Sequence, residues 1–577
     1  MERVVPKKPY RQSPVSDCVS CLFMRSFLCV FILVGSLPAL AQQVPVLERQ
    51  VTIHAQDERL DIFLKRLSQE SGCVFSYSAS SLDVSRSVSY EFEQQTTREI
   101  LETVFDGNIK VKQKGVYVIL TPAPNVSKEV VIRGYIVDET SGSRINDATV
   151  YNPVTLRSVT TDQYGYFEYV VKNPTADDYK LIVKKVDYTD TVLLAPQKRS
   201  SFQKISIRID KEKLNNVGES ITKPAVKLWS WTKRSVASIH LTNMRDTIHR
   251  TWQVSFVPFV GTNRKLSGSV TNDWSFNIIG GYSAGTTKAE FGGVFNINTG
   301  NVKVFQAAGV FNLNGGETKG VQLGGTFNLN LQSASGVQAA GFANLNMQNM
   351  QGVQLAGFLN LAGKHTGGAQ VAGFANISKS ISGTQVAGFV NIAKQISGSQ
   401  IGFLNIADSI QGVPIGFLSF VAKGYHTLEL GADEVIPVNI SFRTGVRAFY
   451  NIISVGIRPE NTDSVTWSFG YGVGTSPRIL KKLYVNFEAT ANQINKGNVE
   501  ALNVVNRIYA GLDFQVARKF AVYAGPTLSI RVYDTTFNRH PELFTYYTPT
   551  IQSERTYSQH DLASQIWWGF RAGVRLF

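Results

Sequence analysis

Between Val51 and Leu120 the apolar positions change period more than once. VTIHAQ alternates as a half-buried strand does, and Leu60, Phe63, Leu64 and Leu67 then recur at i, i+3, i+4 and i+7, the spacing of one helix face. Gly72 ends that helix. A second helix is predicted from Thr96, where Glu99 three residues later gives a capping-box spacing, and it buries Ile100, Leu101, Val104 and Phe105 before Gly107. With strands at CVFSYS, SVSYEFE and GVYVIL, residues 48–122 read as a small α+β domain. Residues 128–211 carry strand signals separated by turns, in IRGYIVDETSGSRINDATVYN, SVTTDQYGYFEYVV and DYKLIVKKVDYTD. Gly142 and Gly165 serve turns there and Phe167 returns to a core, while Asp138 and Asp162 read as turn formers rather than calcium ligands. Residues 212–250 are a linker.

The next stretch repeats itself. Gln306, Gln322, Gln338, Gln354, Gln370 and Gln385 recur every 15 or 16 residues, and each is followed six residues later by an asparagine: Asn312, Asn328, Asn344, Asn360, Asn376 and Asn391. Six is even, so on a strand each glutamine shares a face with its asparagine. The opposite face, Val353, Leu355, Gly357, Leu359 and Leu361 in one copy, carries no charge. Hydrocarbon outside the sheet accounts for this, since a charge near the bilayer centre costs about 2–4 kcal/mol and a tilted strand of about 9–11 residues crosses. The predicted element is one lipid-facing strand plus a turn, copied around a closed barrel with its glutamine and asparagine rows in the lumen. On strict alternation Phe358, Phe374 and Phe389 join the polar rows inside, and the rows pin strand register more than they coat a pore. A β-solenoid of stacked coils with glutamine and asparagine ladders is the competing reading, favoured by the equal connections, but the alternation that follows the repeats, which a solenoid would not need, favours the barrel. Gln400 and Asn405 stand only five apart, which asks for a bulge or register change.

After the repeats, at about 290–422, alternation persists. In VIPVNISFRTGVRAFYN, Val438, Ile440, Phe442, Val446 and Ala448 oppose Asn439, Ser441, Arg443, Gly445 and Arg447. The last strand sets Ile566, Trp568, Phe570, Ala572, Val574 and Leu576 against Gln565, Arg571 and Arg575, with the terminal Phe577 on the arginine face. Residues 251–577 therefore read as a transmembrane antiparallel β-barrel of roughly 16–20 strands. A turn near Val435 and Ile436 would place Glu429 and Asp433 beside Arg443 and Arg447 in the lumen, with Glu429 and Arg443 paired across strands, as a structural ion lattice.

Composition trims the alternatives. Phe27–Leu37 is an apolar run preceded by Arg25 and followed by Ala39-Leu40-Ala41, so residues 1–41 read as an export signal, with Met24 an alternative start. Its loss takes five basic and two acidic residues and lowers the net charge from +15 to +12. No cluster of lysine and arginine with interleaved aromatics accompanies that charge, so anionic lipid fits better than nucleic acid. Cys18, Cys21 and Cys29 leave with the signal; Cys73 is then alone, a packed thiol, and no intrachain disulfide or paired-cysteine metal site remains. The seven histidines are scattered, and no HExxH, GxSxG, Walker or GxGxxG pattern occurs, so neither an enzyme, a metal nor a cofactor is expected.

Three resemblances extend this reading. ERLDIFLKRLSQESGCVFSYS with QTTREILETVFDGNIKVKQKGVYVIL resembles the short N-terminal (STN) domain of secretins and TonB-dependent receptors, implying a periplasmic docking or signalling role and no catalytic residue. Gly134, Asp138, Gly142, Ala148 and Val150, followed by Thr161, Asp162, Gly165 and Phe167, resemble the carboxypeptidase regulatory-like β-sandwich, which implies no peptidase activity. VSFVPFVGTN, SFNIIGGYSAG, the Gly-x-Gln-x-Ala-Gly-Phe-x-Asn copies and GYHTLELGADE resemble a family of uncharacterised outer-membrane barrels. The order matches the front of TonB-dependent transporters, yet about 40 residues between Asp210 and Thr251 leave no room for a plug domain. The expectation is an outer-membrane protein with its N-terminal domains in the periplasm, acting as a receptor, transducer or assembly component. Its expected partners are outer-membrane lipid and a periplasmic protein met through residues 48–211. A passive channel and a structural or surface-interaction protein are the alternatives.

Overall fold

The computed structural model describes residues 44–122, 129–198, 200–210, 236–244, 246–460, 465–544 and 547–577. The expected signal, residues 1–41, and most of the 212–250 linker lie outside them. The chain divides into two compact units, residues 1–125 and 126–577.

In the first unit Gln50–Arg59 pairs antiparallel with Ser87–Thr96, and Tyr117–Pro122 lies between Val74–Ser76 and Ile109–Lys114. Helix Leu60–Ser71 turns Leu60, Phe63, Leu64 and Leu67 onto a core that also holds Ile100, Leu101, Val104, Val118 and Leu120. Gly72 ends the helix with φ +64°, a left-handed position that suits glycine. Thr96 accepts from the Glu99 amide at 3.2 Å while the Glu99 carboxylate accepts from the Thr96 amide at 2.9 Å, so the box at the start of helix Thr97–Val104 is closed. Cys73 is buried and unbridged, and burial raises its thiol pKa.

The second unit is almost entirely β. A four-stranded sheet, in the order 191–194, 180–184, 149–151, 158–160, and a three-stranded sheet, 200–207, 129–138, 166–172, share one apolar core that includes Ile132, Ile136, Val150, Phe167 and Val183. Asp138 and Asp162 each accept from amides two to four residues ahead, which fixes the turns. Helix Val236–Asn243 seats buried His240 between the Thr149 and Ser158 hydroxyls at 2.9 and 3.0 Å.

From Ile248 to Val421 the chain winds as stacked coils, with like positions of successive copies paired in parallel register, Gln322 with Gln338 and Asn328 with Asn344. The repeats are therefore not barrel strands, and the expected 16–20-stranded barrel is corrected: a closed antiparallel barrel is formed by eight strands near the C-terminus. In the earlier copies a two-residue corner that begins with glycine separates strands of about seven and four residues, such as Val302–Ala308 and Phe311–Asn314, and later legs join into longer strands, Leu359–Ala372 and Ala375–Ala387. A coil that turns through a full circuit returns in the same direction, so equal connections suffice and identical side chains stack. Two glycine columns make the stacking possible. A Cβ on Gly357 would sit 2.1 Å from the Gly341 carbonyl oxygen, and Gly320, Gly336, Gly352, Gly368 and Gly383 hold φ between +103° and +145°.

The corner at Gly-Phe also breaks strict alternation. Phe358, Phe374 and Phe389 point outward instead of filling the interior, and stack ring on ring from Phe342 to Phe417 at 4.7–5.6 Å between centroids. Phe417 then stacks on Tyr471 of the barrel at 4.5 Å. The last coil is capped by the barrel hairpin 438–458: the Ser419 amide donates to Asn451 at 2.7 Å, and the Asn451 amide nitrogen to the Gly416 carbonyl at 2.8 Å.

The barrel strands are Tyr425–Ala432, Val438–Val446, Phe449–Arg458, Thr466–Thr475, Leu483–Lys496, Asn503–Ala517, Phe520–Asp534 and Leu562–Leu576. The first and last pair, Leu428 opposite Leu576 and Ala432 opposite Ala572, and this closes the circle. Leu430, Phe442, Val455, Phe487, Ile508 and Trp568 stand outside, all exposed, while the alternate positions turn inward.

Candidate functional site

Two polar interiors carry the chemistry of this chain, one inside the coils and one inside the barrel. The coil interior is built from the glutamine and asparagine rows. Gln322, Gln338, Gln354, Gln370 and Gln385, with Asn328, Asn344, Asn360, Asn376 and Asn391, are all buried inside the coils rather than in a barrel lumen, because the parallel winding places the repeats outside the barrel. Each Gln Nε2 donates to the Oε1 of the glutamine one coil earlier, from Gln400 down to Gln306, at 2.7–3.1 Å. Asparagine amides run the opposite way: each Nδ2 donates to the Oδ1 one coil later, from Asn296 to Asn405, at 2.9–3.0 Å. The second N–H of an asparagine reaches a strand-end carbonyl, as from Asn360 to Val371 at 2.8 Å. The opposed rows offset each other's dipoles, and apart from Gln400 Oε1 at the start of the glutamine row the buried amides of these rows are paired.

The glutamine row ends on Glu290, which occupies the same register position as Gln306. Its carboxylate accepts from Gln306 at 2.8 Å, Asn298 at 2.6 Å, Asn277 at 3.2 Å and Ser275 at 3.4 Å. Four donors converge on a group that only accepts when ionised.

In the barrel, Arg443 Nη1 lies 2.6 Å from Glu429 Oε2, reached diagonally because Glu429 faces Ser441 in the strand register. Arg571 and Arg575 reach the same carboxylate at 2.5 and 2.7 Å, and Tyr523 donates to it at 2.8 Å. Glu488 is shared by Arg443 at 2.9 Å, Arg575 at 3.1 Å, Arg571 at 3.4 Å and the Tyr450 hydroxyl at 2.9 Å. Asp513 completes the cluster on Arg575 at 2.7 Å. Three guanidinium groups meet three carboxylates, all essentially removed from solvent. Such a group is costly to desolvate and holds only while each charge keeps its partners.

Asp433 and Arg447 do not join this cluster. The hairpin pairing ends at Gly431 with Asn439, which sends Asp433 into the barrel mouth, where it pairs with Arg507 at 3.0 Å and accepts from the Val435 and Ile436 amides. Arg447 lies beyond the far end of strand Val438–Val446, over the rings of Tyr425 and Tyr484 at 4.6 and 3.8 Å. Glu488, Asp513, Arg571 and Arg575 carry as much of the cluster as Glu429 and Arg443. The signal for Glu488 is a lone acid in the alternating YVNFEATAN, where Val485 and Phe487 oppose it.

Both ends of the barrel interior are filled. Val435 and Ile436 pack on Trp567, Ile494 and Val505 at one mouth, with Phe544 edge-on to Trp567 at 5.3 Å. Tyr425, Tyr450 and Phe577 pack together at the other. Among the described residues no cluster of histidine, cysteine and carboxylates could hold a metal, and no helix is long and apolar enough to cross a membrane. Comparison with family models, curated proteins and solved structures found no match.

Proposed function

We propose that this chain is an outer-membrane protein whose barrel is a sealed anchor and whose N-terminal modules work by contact with another protein, as a receptor, transducer or assembly component. One observation carries the reading: the barrel is apolar outside and charged inside, the reverse of a water-soluble β-protein. The coils share the inversion. Amides fill their interior, and on one side Val321, Leu323, Val337, Leu355 and Val371 face outward beside the phenylalanine column, while Lys319, Lys364, Lys379 and Lys394 are exposed elsewhere on the coils. Hydrocarbon suits these apolar faces, and the last coil meets the barrel hairpin, which takes the Ser419 amide on Asn451 and gives the Thr444 hydroxyl to the Ser419 carbonyl.

An eight-stranded barrel is wide enough only for its own side chains, and here ion pairs and two aromatic ends occupy it. This argues against the passive channel. The STN-like residues 48–122 and the two-sheet residues 129–210, read as a regulatory-like sandwich on the periplasmic side, are then the parts left to engage a partner. A heat-modifiability gel on membrane fractions, with planar-bilayer recording of the purified protein, tests the reading. A boiling-dependent shift without conductance supports it. A freely soluble protein, or stepwise current, refutes it. Removal of residues 42–125 with the barrel still inserted is expected to abolish signalling or partner engagement.

A further inference from the structure

Between the two-sheet region and the first coil lies a cavity of about 530 Å³, within the size range of small-ligand sites. Arg157, Lys172, Arg264 and Lys265 line it, and no carboxylate does. Lys172 stands 3.5 Å from Glu129; among the described residues no ion pair holds the other three cations. Isolated like charges around one cavity repel, so the site gains when an anion enters.

The floor adds a directional group. Tyr169, in the cavity lining, is buried to 1% exposure, and its hydroxyl has the Thr155 hydroxyl beside it and no other hydrogen-bond partner. Burial pushes its pKa up to about 12, so it stays a donor. Ser158, also in the wall, is held by His240 at 3.0 Å.

The remaining wall is apolar, with Val159, Val170 and Phe259. On the neighbouring strand Trp252, Val254 and Phe256 are exposed outward, and Trp252 stacks on Trp274 at 5.8 Å. Aromatic side chains of this kind settle at the headgroup level of a bilayer.

We infer that this cavity binds the phosphate of an anionic lipid headgroup, with Arg157, Arg264 and Lys265 on the phosphate oxygens, the Tyr169 hydroxyl donating from the floor, and the apolar wall against the glycerol stem. The inference rests on the membrane reading for the source of the ligand, and on the cavity alone for its chemistry. Arginine is suited to it, since its planar fork meets two phosphate oxygens at once.

The test uses the full chain in neutral detergent, with the folded barrel checked by heat-modifiable migration, and calorimetric titration with dihexanoyl phosphatidylglycerol, dihexanoyl phosphatidylcholine and inorganic phosphate. Saturable one-site binding of phosphatidylglycerol is expected, weakened about tenfold or more by Arg157→Gln with Arg264→Gln and several-fold by Tyr169→Phe, with the other two probes much weaker. Inorganic phosphate binding as well as phosphatidylglycerol would overturn the lipid source. Absence of saturable binding, or a double variant that binds like the parent, would overturn the site. Because migration is read separately, either failure leaves the membrane reading standing or fallen on its own evidence.

Discussion

Gln306 donates from Nε2 to Glu290 Oε2 at 2.8 Å, and this contact ends a glutamine row that starts at Gln400. Every amide in that row points its N–H toward Glu290, so the row presents the positive end of its summed dipole to a carboxylate, as a helix N-terminus does to an anion. The terminus and the interior of the row therefore have opposite requirements.

Gln354→Glu removes the donor to Gln338 Oε1 and buries an unpaired charge, and is expected to destabilise the stack by several kcal/mol. Glu290→Gln puts an NH₂ where donors converge and should cost about 1–3 kcal/mol. Unfolding in detergent, followed by circular dichroism, ranks the two; a milder effect for Gln354→Glu would reject the directional row.

The glycine columns give a steric counterpart. Gly357→Ala meets the Gly341 carbonyl at 2.1 Å, backbone that cannot swing aside, and should lose about 1–3 kcal/mol or more. Val304 shows the reverse case. It holds the place of Gly320 one coil earlier with φ +68°, a conformation a β-branched residue rarely adopts. Val304→Gly is expected to raise the unfolding midpoint, a gain of about 1 kcal/mol after the entropy cost of glycine.

In the barrel, Glu429→Gln leaves Arg443, Arg571 and Arg575 with one carboxylate fewer in a closed interior. A loss of about 3–5 kcal/mol is expected, seen as a lower temperature for the heat-modifiable shift. Adding Arg571→Gln restores the charge balance and should recover part of it; additivity of the two losses would count against a coupled cluster.

These residues also mark what the sequence alone conveys. The even spacing of Gln354 and Asn360 correctly puts both on one polar face, and the charged alternation of Arg443 correctly turns it inward. Strand direction is invisible to that argument, because a lipid-facing strand and a coil leg with an apolar exterior carry the same alternation. The two-residue corner at Gly357–Phe358 is equally hidden, and it reverses Phe358. The closure that brings Arg571 and Arg575 onto Glu429 depends on strands about 140 residues apart, so spacing along the chain cannot predict it.

His240 gives a pH dependence outside the barrel. Burial, with Lys265 nearby, pushes its pKa from 6.5 down to about 4. The unfolded chain then binds the extra proton, so the contribution of the neutral ring is full above about pH 6.5 and is lost as pH falls toward 4, about 3 kcal/mol at most. Docking of helix Val236–Asn243 should loosen over that window, read by hydrogen exchange, and His240→Gln should flatten the dependence.

The phenylalanine side of the coils and the outside of the barrel are expected to meet hydrocarbon. Nitroxide labels at Phe374→Cys and Ile453→Cys, in a chain whose four native cysteines are alanine, report it directly in reconstituted vesicles. Greater collision with dissolved oxygen than with a water-soluble nickel chelate at both sites is the expected result. Greater collision with the nickel chelate at both would contradict it.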